Sequence, residues 1–147
     1  MMYAVIAVGI FAGDFFLKRT IDKKRKLGEQ TKICQEKIVI QKYYNKGAAL
    51  NFMEKYPKLL RNFGGVALLL IGIMGYALWK NKKNPSVLLG ISFILGGGAS
   101  NWYDRVTKGY VIDYVSFCTP WKRFNRIVFN ISDFFIFLGS LMAVLFS

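Results

Sequence analysis

The sequence predicts an all-α membrane protein with four transmembrane helices and a small extramembrane β element in the first loop. Three observations predict it. Of the 147 residues, 54% are hydrophobic. They gather in four long runs almost free of charge, and the Lys and Arg lie almost wholly between those runs. A bilayer core about 30 Å thick asks for roughly 20 apolar residues per helix. A soluble core explains one such run, not four.

The first helix is expected at about 1–17, where Asp14 is the one charge. No basic residue precedes this stretch, and Phe15, Phe16 and Leu17 make a poor small-residue cleavage site, so it is read as a retained helix, not a signal peptide. A loop of about 18–62 follows, too polar for lipid. Within it Lys37 to Tyr44 is short and rich in strand formers, which predicts one or two strands at the membrane surface. The second helix, about 63–79, is uncharged, with Arg61 and Lys80 just outside it. A short connector makes it the antiparallel neighbour of the third, about 87–103, which Pro85 opens because the first turn does not need proline's missing donor. Gly96, Gly97, Gly98, Ala99 and Ser100 form a small-residue patch suited to close helix approach. The fourth helix is expected at about 127–146, and the four spans form one membrane domain over 1–147.

Formal charge is +13, from 21 Lys and Arg against 8 Asp and Glu. Such a balance brings nucleic acid to mind. The cations are largely juxtamembrane, however, as in Arg19, Lys23, Lys24, Arg25 and Lys26, where lipid headgroups are the nearer partner, so membrane lipids and no nucleic acid are expected. The connectors hold 13, 3 and 5 Lys and Arg in order, which by the positive-inside rule places the first and third in the cytoplasm. Cys34 and Cys118 fall in those same two loops, on one side of the membrane; a disulfide and free thiols both remain open, and no metal, redox or lipidation motif surrounds either. The aromatic residues Trp102, Tyr103, Tyr110, Tyr114 and Trp121 read as an interfacial belt.

The carboxylates carry the functional argument. Asp14, Asp104, Asp113 and Asp133 lie in or at the ends of hydrophobic runs, where an ionisable group costs a few kcal/mol unless it is paired, wet or working. Topology puts all four toward one face: Asp14 and Asp104 at helix ends, Asp113 in the third loop, Asp133 about two turns into the fourth helix. The chain has no histidine, which excludes Ser-His and His-Glu zinc hydrolysis. Two adjacent aspartates cannot both ionise cheaply, so one keeps a proton while the other activates a water, and peptide hydrolysis then needs no metal or organic cofactor. Spacing alone leaves open which pair meets. A small four-helix proton-coupled transporter, with Asp14 and Asp133 as carriers, is the alternative from another class.

Five blocks in order now matter: Asp14-x-x-x-Lys18, Asn45-x-Gly47-Ala48-Ala49, Asn101-x-x-Asp104-Arg105, Gly109-x-x-x-Asp113, and Asn130-x-x-Asp133. Together they resemble the signature of the lipoprotein signal peptidases, the signal peptidase II family of aspartyl membrane peptidases. The resemblance implies that Asp113 and Asp133 are the catalytic dyad of an endopeptidase that cuts a diacylated prolipoprotein just before its diacylglyceryl-modified cysteine. It also implies a multi-pass protein of the bacterial cytoplasmic (inner) membrane with the active site near the outer face, opposite to the charge bias; a monomer is expected, though no residue pattern fixes the oligomeric state. The resemblance places Asn45 at the substrate or an inhibitor, and Gly47, Asn101, Asp104, Arg105, Asn130 and Asp14 join it as substrate-binding or supporting residues, with Asp14 open between a functional and a structural role. Asn130 and Asn101 each precede an aspartate by three residues and are expected on its helical face. Arg105 is expected either in the polar network or as a partner of Asp104 or a lipid phosphate, and Lys18 as an ion-pair partner of Asp14 that snorkels outward. Ser132 and Ser100 depart from the family's usual alanine and glycine. A catalytically silent relative is the remaining alternative.

Overall fold

The computed structural model describes residues 1–47, 53–82 and 84–147. Four helices, α1 (Met2–Lys24), α2 (Pro57–Lys80), α3 (Pro85–Thr107) and α4 (Ile131–Leu145), carry a three-stranded sheet of β1 (Gln30–Ile33), β2 (Ile38–Asn45) and β3 (Val111–Phe117). α3 is the hub, packed against α4, α1 and α2. The glycine patch makes this closeness feasible: a Cβ on Gly96 would lie 2.6 Å from the Ala7 carbonyl oxygen, and one on Gly97 2.6 Å from that of Ser132. Hence the small residues serve both α1 and α4, as expected for helices that approach through backbone contact.

All four helices stand near their expected places with shifted ends. α1 and α3 run past their apolar stretches, and Lys23 and Lys24 in the last turn of α1 complement the negative end of its dipole. α2 starts at Pro57, six residues before its apolar run, because proline suits a first turn. α4 begins only at Ile131: residues 127–129 run extended instead, and Asn130 caps the helix. Among the described residues only α2 combines the length and mean hydropathy, 1.6, of a membrane span. α4 is apolar but has 15 residues, and α1 and α3 end in charged turns.

The β element is larger than expected. β1 and β2 form the hairpin of the first loop, and β3, from the third loop, pairs antiparallel with β2 to give the order β1-β2-β3. The register slips between Ile40 and Tyr43, so that Tyr43 faces Asp113. Phe129 then clips to the other side of β3, its N–H donating to the Val115 carbonyl at 2.7 Å and its carbonyl accepting from Tyr114 and Val115 at 2.8 Å. That clip brings the start of α4 beside Asp113. Cys34 and Cys118 are exposed free thiols, which answers the question the sequence left open.

Candidate functional site

Asp113 is 1% exposed on β3, with Val111 and Asp113 facing a cavity and Ile112 and Tyr114 facing the helices. Asp133 is in the first turn of α4, not two turns in, because the apolar stretch before it is strand-like. Asn130 therefore does not share a helical face with Asp133: it is the N-cap. The two form a capping box, in which the Asn130 side chain accepts from Asp133 N–H at 3.1 Å and Asp133 Oδ2 accepts from Asn130 N–H at 2.9 Å.

Three asparagine amides have fixed orientations, and each points its nitrogen at the dyad. Asn130 uses its oxygen in the capping box, so its Nδ2 is left to donate to Asp113 Oδ1 at 2.7 Å. Asn45 accepts the N–H of Gly47 at 3.0 Å and donates to Asp113 Oδ2 at 2.9 Å. Asn101 accepts from Lys18 Nζ at 2.7 Å and donates to Asp133 Oδ1 at 2.9 Å. One asparagine thus bridges both carboxylates. Burial, reinforced by the neighbouring Asp133 charge, pushes the Asp113 carboxyl up to about 7 against the opposing donors Asn45 and Asn130. A carboxyl at that value is protonated in about half of the molecules at neutral pH.

Behind the dyad lies a second polar layer. Asp14, fully buried, accepts at Oδ2 from Lys18 Nζ at 2.7 Å and from the Ser100 and Ser132 hydroxyls at 2.6 Å each; its Oδ1 accepts from the Tyr114 hydroxyl at 3.0 Å. Ser100, Tyr114 and Ser132 each adjoin in sequence a member of the site: Asn101, Asp113 and Asp133. One carboxylate therefore ties α1 to the backbones that carry the dyad. Burial and the Asp14 charge raise the pKa of Tyr114, which keeps the phenol a donor. Lys18 is 1% exposed and also contacts Asp104 Oδ2 at 3.3 Å, while Lys108 meets Asp104 Oδ1 at 2.8 Å. The network sets two carboxylates against two ammonium groups, with Lys108 at its half-buried edge, so its formal charges balance.

Several expectations change here. The ion pair of Asp14 with Lys18 exists, but Lys18 turns inward, since two carboxylates, a serine and an asparagine offset the cost of burying it. Arg105 is not the partner of Asp104, whose oxygens are taken by lysines. Its guanidinium lies along the cavity, donating to the Gly47 carbonyl at 3.0 Å and the Asn101 carbonyl at 3.4 Å, with Nε buried and unpaired among the described residues. Tyr114 leaves the expected aromatic belt for the core, and Tyr110 stacks on Tyr44 with centroids 4.2 Å apart. Trp102, Tyr103 and Trp121 remain exposed, Trp102 also donating to the Arg61 carbonyl at 3.0 Å. Ala48 and Ala49 lie outside the described residues. The supporting hydroxyls of Ser100, Ser132 and Tyr114 carry no signal in spacing; the serines drew notice only as departures from a pattern.

The cavity measures about 610 Å³. Asn45, Asn101, Arg105, Asp113, Asn130 and Asp133 line its polar end, and it continues between α2 and α4 past Leu60, Leu68, Ile94, Ile136 and Phe137. One end of the cavity is thus polar and the remainder apolar.

Comparison with known proteins bears on the family and the fold. The lipoprotein signal peptidase of Brevibacillus brevis is 31% identical over 139 residues, covering 95% of this chain and 89% of that protein. That of Clostridium tetani is 29% identical over 147 residues, covering 99% and 91%. A solved structure described as a bacterial membrane enzyme superposes with a TM-score of 0.82 at 23% identity, covering 98% of this chain and 85% of its own. A second of the same description gives 0.84 at 22%, covering 98% and 90%. The family model described as Signal peptidase (SPase) II matches residues 6–147. From the first helix to the last residue, then, the chain belongs to the signal peptidase II family of peptidases.

Proposed function

We propose that the chain is an aspartyl endopeptidase that cleaves the signal peptide of a prolipoprotein just before its diacylglyceryl-modified cysteine. The observation that carries the reading is the bridge made by Asn130, which holds Asp113 with its side chain and Asp133 with its backbone. Asp133 acts as base toward a water, and Asp113, lifted to about 7, supplies the proton to the scissile carbonyl. Asn45 and Arg105 lie where the substrate backbone passes, and the apolar length of the cavity takes the signal helix and acyl chains. Gly47, Asn101, Asp104, Asn130 and Asp14 support that geometry.

In this reading the chain is one membrane domain with four spans, in the bacterial cytoplasmic membrane, monomeric, with the dyad near the outer face. The dyad lies at the end where α1 and α3 finish and α4 starts, level with the sheet, as a site at the water boundary requires. The test is mass spectrometry of a diacylated prolipoprotein incubated with the purified protein, with and without a cyclic-peptide inhibitor of the family. Release of a peptide ending one residue before the modified cysteine supports the reading. An intact substrate, or flux driven by a proton gradient in proteoliposomes without any peptide product, rejects it.

A further inference from the structure

The charge distribution has no part in the reaction above. Of the 21 Lys and Arg, 18 lie in or beside the first and third connectors, with all 8 Asp and Glu, so the dyad end carries a net +10. Most of these cations are solvated. One group stands on a built frame: the loop from Thr119 to Arg126. Asn125 closes it as a ring, accepting at Oδ1 from Thr119 N–H at 2.8 Å and from the Thr119 hydroxyl at 2.7 Å, and donating to the Thr119 carbonyl at 2.8 Å. The ring displays Trp121, 76% exposed, and Phe124, 36% exposed. Lys122, Arg123 and Arg126 are exposed beside them and make no ion pair among the described residues.

Next to this ring is a shallow apolar cavity of about 610 Å³ bounded by Lys37, Ile38, Phe117, Phe124 and Phe134. Phe134 begins the outer face of α4, which continues through the exposed Leu138, Leu141 and Leu145. Cations and an exposed indole therefore stand directly above an apolar track that leads down a helix. An anion joined to long acyl chains matches both halves, and a tryptophan beside cations marks the headgroup level of a bilayer.

We propose that the Thr119–Arg126 loop is a binding site for an anionic phospholipid, its phosphate held by Lys122, Arg123 and Arg126 and its chains laid along Phe134 and the outer face of α4. The site neighbours the start of α4 but shares no residue with the dyad, so it stands or falls independently of the peptidase reading.

The test counts lipid and needs no peptidase assay. Purified protein is reconstituted in nanodiscs of equal phosphatidylglycerol and phosphatidylcholine, extracted into mild detergent, and the retained lipids are identified by native mass spectrometry. Phosphatidylglycerol should be enriched over phosphatidylcholine, and each cation removed in Lys122→Gln, Arg123→Gln and Arg126→Gln should reduce the enrichment about fivefold at low salt. Trp121→Ala should shorten retention of both lipids. Inorganic phosphate, which lacks acyl chains, should not displace the bound lipid at equal concentration. Equal retention of the two lipids by the unaltered protein, unchanged enrichment in the triple variant, or displacement by phosphate alone would overturn the assignment. All four substituted side chains are solvent-exposed, and unchanged thermal unfolding of the variants verifies that the fold is intact.

Discussion

Asn101 gives its amide N–H to Asp133 Oδ1 at 2.9 Å because its other end is committed to a buried ammonium, Lys18, at 2.7 Å. An amide reads equally well in two orientations until something charged selects one. Lys18 makes that selection, and through it a residue on α1 decides how a carboxylate on α4 is held.

Asn101→Ala removes that donor from a charged acceptor, a loss of about 1.5–3 kcal/mol. With substrate contacts intact, kcat should fall about 10- to 100-fold and KM should stay near its original value, as steady-state cleavage of a fluorescent lipopeptide will report. A rise in KM alone would place Asn101 at the substrate instead.

Asp113→Asn and Asp133→Asn each remove one half of the proton-sharing pair while keeping shape. Each should lower cleavage at least about a thousandfold while thermal unfolding in detergent shows a folded protein. Full activity in either variant would reject the dyad.

The raised Asp113 pKa sets a pH dependence. The folded state binds this proton more tightly than the unfolded chain, whose carboxyl keeps the ordinary value of 3.8, so its stabilising contribution is complete below that value and is lost as pH rises through about 7. Cleavage that needs protonated Asp113 should fall over the same alkaline limb, which belongs to the coupled pair. Asn45 opposes the upward shift by donating to Asp113, so Asn45→Ala should move that limb to higher pH. A pH–rate profile of both proteins measures the displacement.

Lys18→Met leaves Asp14 and Asp104 buried without their shared cation, at a cost of about 3–5 kcal/mol. Thermal melts in detergent should show the loss. Adding Asp14→Asn should recover part of it, since the pair belongs to one network and its effects do not add.

Gly97→Ala tests the approach of α3 to α4. The new methyl would stand 2.6 Å from the Ser132 carbonyl oxygen, so α4 must shift, carrying Asp133 one residue away. A displacement near 1 Å costs about a hundredfold in rate. The same substitution at Gly72, where the added atom meets nothing within 4 Å, should leave cleavage unchanged and serves as the control.

The helices were legible as four long apolar runs, and Gly96 to Ser100 disclosed their close approach because only small residues permit it. Asp113 and Asp133 stood out as costly carboxylates, ordered motifs singled them out from four, and the structure brings both to one cavity. β3 was hidden because Val111–Phe117 is short, nearly continuous in apolar character and interrupted only by Asp113 and Ser116, with no alternation to mark it. The start of α4 was misplaced for a related reason: residues 127–129 are as hydrophobic as the helix that follows, and hydropathy does not distinguish a strand clip from a first turn. Lys18 was read as outward because a lone lysine at a helix end usually is. Its burial depends on Asp104 and Asn101 from another helix, which no local pattern announces.

Among the described residues, α2 packs substantially only against α3, leaving the side of the cavity toward α4 without a closing helix. On the proposed reading, with the four helices in a bilayer, such a slot faces sideways into the hydrocarbon. A lipid-tethered polypeptide would then reach Asp113 and Asp133 by lateral diffusion in two dimensions, never exposing its tails, and the severed products would depart along the same plane.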